Sequence, residues 1–349
     1  MDQQRSFSVT LLAFRDIWCI IGPMIRTGCH AILTLGSLSR RHQRSLMAAA
    51  DLHLLAARLD RPVGSTGDAL RSVNSLTRPA CDASSVSRRI RDGTLTRLYQ
   101  AMLNDQLVFD LPGNYWIVDS KGLGVPWHTT DATATLGPCD GRFARGYRLH
   151  LLVDRYEQVW AARVTAMNVA EPAVACQLLD DLDSLEGPRP RGLLLADRGY
   201  DTIATFTAAA KSGLVMLCKR RVTACSDPRP SDSAARYRSF LILEKFPKSH
   251  GTIAEQFPKL RDTAERAFAH LCGRAGGLTG LPPWVRTLPR VRAWVMAKLV
   301  LHAAHRRKQL LERHRVPSPT DIANSVGCGG SSGLRLANEL AREQGVRQE

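Results

Sequence analysis

Two apolar, strand-like runs of this sequence each end in an aspartate. One run, Asn114–Asp119, reads Asn-Tyr-Trp-Ile-Val-Asp, and the other, Gly192–Asp197, reads Gly-Leu-Leu-Leu-Ala-Asp. A strand inside a parallel sheet buries both faces, so an acid is tolerated only where the strand leaves the sheet. That carboxyl edge is where open α/β sheets bind their ligands. The two runs therefore predict two carboxylates that lie side by side at a ligand-binding edge.

A third acid, Glu265, lies in a basic amphipathic helix that includes Arg261 and Phe268. A helix packed against the same edge can bring this glutamate to Asp119 and Asp197. Three converging carboxylates repel each other unless cations neutralise them, and oxygen ligands suit Mg²⁺ or Mn²⁺. Two such ions about 3.5–4 Å apart can promote displacement at phosphorus. For each acid alone, the ordinary alternative is a cap of the next turn or an ion pair with Arg261.

The charge of the chain favours a polyanionic partner. Its 349 residues carry 48 Lys and Arg against 32 Asp and Glu, a formal net charge of +16. Nucleic acid is the first candidate, a membrane surface is the second, and a basic protein without such a partner remains an alternative. The nine cysteines form no C-x-x-C pair, which predicts reduced thiols in a cytoplasm and no zinc site. The apolar run Trp18–Ile25 is too short to span a bilayer.

Residues 1–110 are predicted to form a helical N-terminal region. A run of good helix formers covers Ala48–Arg58, and a break follows at Pro62–Gly67. A short helix over about 66–76, followed by a basic one that carries Ser85–Arg91, has the outline of a DNA-binding helix-turn-helix. A solvated charged helix face explains the same pattern.

From residue 111 the pattern alternates between strands and helices. The predicted strands cover Tyr115–Asp119, Gly146–Asp154, Val159–Thr165, Gly192–Asp197 and Leu214–Cys218, with helices over Glu171–Leu185 and Asp201–Ser212. This order predicts a ribonuclease H-like α/β fold, with a mixed five-stranded sheet flanked by helices, over 111–315. An insertion at about 219–256 includes a possible extra strand, Arg238–Glu244. Helices follow over Pro258–His270 and Arg290–Leu311, and 316–349 is predicted to be a flexible tail.

Several motifs resemble those of the bacterial insertion-sequence DDE transposases of the insertion sequence four/five superfamily. They are Val118-Asp119-Ser120, Ala196-Asp-Arg-Gly-Tyr-Asp201 and the Arg261-x-x-x-Glu265-Arg266 helix. Gly146–Asp154 resembles the second-strand motif of that family, and Gly276–Leu281 with Ala297–Leu299 resembles its C-terminal region. The resemblance covers roughly residues 111–310.

The resemblance implies a DNA transposase that cleaves transposon ends and joins them to target DNA. Asp119, Asp197 and Glu265 would be the catalytic ligands of two Mg²⁺ ions, with Mn²⁺ able to substitute. The family pattern has a tyrosine and a lysine where this chain has Pro258 and Cys272, and Arg274 could replace that lysine. The expected partner is double-stranded DNA, bound by a homodimer in the bacterial cytoplasm and nucleoid. The residues expected to bind DNA are Arg145, Arg198, Lys219, Arg220, Arg221, Arg261, Arg266 and Arg274.

Two other functions remain compatible with the sequence. A DNA-binding regulator with an inactive catalytic core would share the basic charge and the possible helix-turn-helix, but would never cut DNA. A stand-alone structure-specific nuclease would cut DNA without joining strands. Magnesium-dependent cleavage distinguishes the first alternative from a transposase, and joined products distinguish the second.

Overall fold

A mixed β-sheet forms the centre of the structure, which is a computed structural model. It describes residues 40–66, 81–107, 115–126, 130–185, 191–221, 227–245, 252–273, 277–278 and 280–314. The strands are β1 (Tyr115–Gly124), β2 (Thr135–Cys139), β3 (Arg142–Asp154), β4 (Val159–Ala166), β5 (Gly192–Ala196) and β6 (Leu214–Cys218). The longer α-helices are α1 (Arg40–Leu59), α2 (Ala83–Arg91), α3 (Thr94–Asp105), α4 (Glu171–Asp183), α5 (Ile203–Lys211), α6 (Ala234–Phe240), α7 (Ile253–Cys272) and α8 (Leu288–His314).

The sheet combines an antiparallel half with a parallel half. The long strand β3 pairs antiparallel with β1, β2 and β4. On its other edge β1 pairs in parallel with β5, and β5 pairs in parallel with β6. Both parallel connections pass through a helix, α4 before β5 and α5 before β6. This mixed sheet, flanked by helices, confirms the predicted fold class.

Each face of the sheet contributes to a separate hydrophobic core. Ile117 and Leu195 belong to a core that includes residues from α1, α2, α3, α7 and α8. Trp116 and Leu194 belong to the opposite core, with residues from α4 and α5. The alternation follows from the period of two along a strand, which sends neighbouring side chains to opposite faces. Any side chain in register with Ile117 and Leu195 therefore faces α7.

The structure adds one strand and removes another. The added strand is β2, which joins β3 through a two-residue turn at Asp140 and Gly141, where φ is 49° and 76°. The possible strand Arg238–Glu244 is wrong, because these residues belong to α6 and a π-helical turn, Leu241–Lys245. Phe240 and Leu243 are both buried, at helical spacing. The apolar run therefore packs as one face of a helix.

Other element boundaries also differ from those predicted. Strand β1 continues five residues beyond Asp119, and α7 begins at Ile253, so that Pro258 lies inside the helix. In the N-terminal region α2 corresponds to the basic second helix of the predicted helix-turn-helix. The first helix of that motif, over about 66–76, lies almost wholly outside the described residues. Among the described helices none is long and apolar enough to cross a membrane.

Candidate active site

Asp119 and Asp197 occupy equivalent positions on two neighbouring parallel strands. Ile117 of β1 lies opposite Leu195 of β5, and each acid follows two residues later. Residues two apart share a face of the sheet, and adjacent strands lie about 4.8 Å apart. The parallel pairing stops at Ile117, so Asp119 is located where the two strands separate. Each acid is only partly buried, which is tolerable for a carboxylate at this edge.

Helix α7 brings Glu265 to the same edge of the sheet. The helix is capped by Thr252, whose hydroxyl accepts a hydrogen bond from the backbone N–H of Glu255 at 3.3 Å. Ala264, Ala267 and Phe268 are buried on the face that packs in the core, and Glu265 is exposed beside that face. Asp119 and Glu265 line one pocket of about 420 Å³. Burial of the apolar stripe thus sets the position of the glutamate.

Burial and the negative charges of the other two acids act on Asp119. Burial raises the pKa of this carboxyl from 3.8 to about 6, and the charges of Asp197 and Glu265 contribute to the rise. Two contacts oppose it: the backbone N–H of Ser120 donates to Oδ1 at 2.8 Å, and Arg261 Nη2 lies 3.9 Å from Oδ2. Burial is therefore the main cause of the raised pKa of Asp119, and the two neighbouring acids add to it.

The segment that follows Asp197 is held by an ion pair. Asp197 accepts a hydrogen bond from the backbone N–H of Gly199 at 2.7 Å, at the start of a 3-10 turn. Four residues on, Asp201 binds Arg236 of α6 through both carboxylate oxygens, at 2.6 and 2.8 Å. The backbone N–H of Arg221 also donates to Asp201. Because the Asp201 side chain is 2% exposed, this pair fixes the segment firmly against α6.

The pocket also contains charged residues that the sequence analysis did not select. Glu171, the first residue of α4, lines it and forms an ion pair with the buried Arg148 of β3. Lys121 lines it two residues after Asp119. The β2–β3 turn, with Asp140 and Gly141, closes one side of the pocket. The Asp-Gly dipeptide was a usable signal for this turn, because it favours two-residue hairpins.

The residues expected to bind DNA fall into two groups. Some of these cations already have partners within the protein. Arg145 donates to the carbonyls of Ala134 and Asp131. Arg220 forms an ion pair with Asp227, and Arg266 contacts Thr263 and Glu157. The guanidinium of Arg221 donates to the carbonyl of Gly199. By contrast, the side chains of Arg198 and Lys219 make no hydrogen bond or ion pair within the described residues. Arg261 lies beside Asp119, and Arg274 is outside the described residues.

The acids suit a divalent cation by their chemistry, although their side chains do not enclose one. Carboxylate oxygens are preferred ligands of Mg²⁺ and Mn²⁺, and burial, which raises the pKa of Asp119, disfavours its negative charge unless a cation is bound. However, no three Asp, Glu, His or Cys side chains in the described ranges are grouped closely enough to hold a metal ion. Asp197, turned toward Gly199, does not line the pocket with Asp119 and Glu265. A bound ion would require these side chains to turn inward.

Comparison with known proteins identifies the region that carries this site. Residues 114–280 match the family model described as Transposase DDE domain. No curated protein has a significantly similar sequence. A solved piggyBac transposase synaptic complex with hairpin DNA shares 10% identity, over 97% of this chain and 81% of that chain, with a TM-score of 0.43. A Mos1 transposase paired-end complex shares 14% identity, over 69% and 76% of the two chains, with a TM-score of 0.22.

Proposed function

We propose that the protein, whose residues 114–280 match the Transposase DDE domain family, is a DNA transposase that cuts transposon ends and joins them to target DNA. The observation that carries the proposal is the placement of Asp119, Asp197 and Glu265 within this domain. The two aspartates are in register on β1 and β5, and Glu265 lines the same pocket as Asp119. Their charges act together on Asp119.

These three acids would hold the divalent ions that DDE transposases use. The chemistry that such ions would supply there is activation of a water or 3′-hydroxyl and stabilisation of the leaving oxygen of a phosphodiester. The chain itself contributes orientation. The Asp201–Arg236 pair fixes the segment that carries Asp197, and packing of α7 fixes Glu265. Arg261 balances part of the charge of Asp119 before DNA binds.

Charge supports DNA as the substrate. The excess of 16 positive charges would attract the phosphate backbone, and the side chains of Arg198 and Lys219 near the acids would be available for phosphate contacts. We also propose that the helical N-terminal region recognises DNA. The protein would act as a homodimer, because joining a pair of transposon ends requires both ends to be held together.

The test is cleavage of labelled DNA that carries the natural flanks of the gene, in Mg²⁺ or Mn²⁺. Wild-type protein should cut at defined ends and give joined products, whereas Asp119→Asn, Asp197→Asn and Glu265→Gln should bind this DNA without cutting it. Asp180→Asn is the matched control, since Asp180 is an exposed residue of α4 whose carboxylate pairs with Lys211. Binding without cleavage by wild-type protein would support the inactive regulator. Cleavage without joined products would support the stand-alone nuclease.

A further inference from the structure

The pocket that holds Asp119 and Glu265 extends beyond the acids as a trough. One wall is β1 from Asp119 to Gly122, and the other is α7 from Glu265 to Cys272. Lys121 lies on the same face of β1 as Asp119, two residues further along, which corresponds to about 7 Å of strand. The β2–β3 turn closes the trough on this side. The trough therefore carries the acids Asp119 and Glu265, and Lys121 lies two residues further along β1.

Among the described residues, the side chain of Lys121 differs from the other cations of this region in having no hydrogen-bond or ion-pair partner. Arg148 is bound to Glu171, and Arg261 is beside Asp119. The half-buried side chain of Lys121 makes no hydrogen bond or ion pair with any residue in the described part of the chain. Burial raises the pKa of the Cys272 thiol, and the charge of Lys121 opposes that rise. Lys121 and Cys272 both line the trough, and Cys272 is the last residue of α7, seven residues beyond Glu265.

We propose that Lys121 is a phosphate-binding subsite, which holds the phosphodiester adjacent to the one that is cut. This inference rests on the proposed function, because it places a nucleic-acid strand along the trough. An ammonium group binds a phosphate oxygen as a compact point charge with three donors. The distance along β1 from Asp119 is of the order of the separation of successive phosphates in a nucleic-acid strand. A strand whose scissile phosphate lies at the acids would then present its neighbouring phosphate to Lys121.

Lys121 could instead neutralise the acids, and that role predicts a different effect of its removal on metal and DNA binding. If this ammonium only neutralised the acids, its removal would increase the affinity of the pocket for divalent cations and leave DNA binding unchanged. A phosphate contact has the opposite signature. Its loss weakens DNA binding at all sequences and lowers the slope of log K against log salt by about 0.9.

The experiment measures DNA binding by fluorescence anisotropy at several salt concentrations, with EDTA present to prevent cleavage. The probe is a labelled duplex that carries the flanks of the gene. Lys121→Gln should lower the salt slope by about 0.9, and Lys121→Met should do the same. Lys121→Arg should restore most of the binding. Lys211→Gln is the matched control, because Lys211 is an exposed lysine on α5 that pairs with Asp180, and its slope should equal that of wild type.

Three further measurements separate the possible failures. Thermal unfolding should show that both Lys121 variants fold like wild type, because a half-buried cation without a partner contributes little to stability. If wild type binds and cuts DNA while Lys121→Gln keeps the wild-type slope, the subsite is wrong and the proposed function stands. If wild type binds no DNA, both are wrong. A tighter Mg²⁺ titration midpoint in Lys121→Gln, with unchanged DNA binding, would identify the neutralising role instead.

Discussion

Asp119 and Asp154 have similar sequence contexts, but they differ in burial and in their hydrogen-bond partners. Each follows a valine in a strand of the same antiparallel pair, β1 and β3. Asp154 is 1% exposed and accepts hydrogen bonds from the backbone of Tyr156 and Gln158, from the Gln158 side chain and from the Trp160 indole, at 2.8–3.0 Å. Asp119 accepts one short hydrogen bond, and its nearest cation is 3.9 Å away.

From this difference we infer that Asp154 has a structural role and that Asp119 is available to bind a ligand. Burial raises the pKa of both groups, so burial alone does not distinguish them. The distinction is in the partners. The tight turn after Asp154 supplies donors to both of its oxygens, whereas the partners of Asp119 leave much of its charge exposed to the pocket. A carboxylate in a pocket with few hydrogen-bond donors indicates a functional site, and a buried carboxylate with complete hydrogen bonding indicates a structural role.

The largest effect is expected from removing the charge of Asp119. Asp119→Asn should lower DNA cleavage by about 100- to 1,000-fold, since loss of one group in a preorganised electrostatic site costs that much. Its thermal stability should be equal to or above that of wild type, because the mutation removes a poorly compensated charge. Cleavage rates and thermal unfolding measure the two quantities. A variant that loses stability together with activity would place Asp119 in the same class as Asp154.

The opposite result is expected for Asp154. Asp154→Ala should lower the free energy of unfolding by about 3 kcal/mol, because the donors of Gln158 and Trp160 remain buried without an acceptor. DNA cleavage by the fraction that stays folded should be unchanged. Urea unfolding measures the first quantity, and the milder Asp154→Asn serves if the alanine variant does not fold. Normal stability combined with lost cleavage would show that the comparison between the two aspartates is wrong.

The fold was largely predictable from the sequence, because its strongest signals are local. The five predicted strands and the helices between them are present, since apolar runs bounded by turn residues specify them. Strand β2 was missed because Gly137 and Pro138 disrupt a strand pattern. Arg238–Glu244 was wrongly assigned because a short apolar run fits a strand and a buried helix face equally well.

The site was predictable only in its acids. Asp119 and Asp197 follow apolar runs, and their equivalent positions on neighbouring strands follow from the predicted sheet. Lys121 and Glu171 could not be identified in this way, because the trough they line depends on how the β2–β3 turn closes over β1. That closure is a tertiary contact, in which Gly122 leaves room for the Cys139 side chain. The sequence also did not predict which arginines form hydrogen bonds or ion pairs within the protein.

A pH experiment tests the uncompensated charge of Asp119 without DNA. The pKa of this carboxyl is about 6 in the folded protein against an ordinary value of 3.8. A raised carboxyl pKa penalises the fold fully above pH 6, and the penalty disappears as pH falls through 6 toward 3.8. Metal-free wild type should therefore gain roughly 2 kcal/mol relative to Asp119→Asn between pH 7.5 and pH 4.

Urea unfolding of both proteins in EDTA across this range measures the difference. Asp180→Asn should follow wild type, because that exposed carboxylate does not share the pocket. Saturating Mg²⁺ at pH 7.5 should stabilise wild type more than Asp119→Asn, since an ion that binds only the folded state stabilises it. A pH-independent difference between wild type and Asp119→Asn would mean that the partners of Asp119 already balance its charge.

The smallest effects extend the same comparison to two cations that were both expected to bind DNA. The Lys219 side chain has no partner in the described part of the chain, whereas Arg266 contacts Thr263 and the buried Glu157. Lys219→Gln should lower the salt slope of DNA binding by about 0.9 and leave stability unchanged. Arg266→Gln should leave the slope near that of wild type and cost less than about 1 kcal/mol of stability, because its side chain is half exposed. If the two slopes were reversed, DNA would displace Arg266 from Glu157. An internal ion pair would then not show that a cation is excluded from DNA binding.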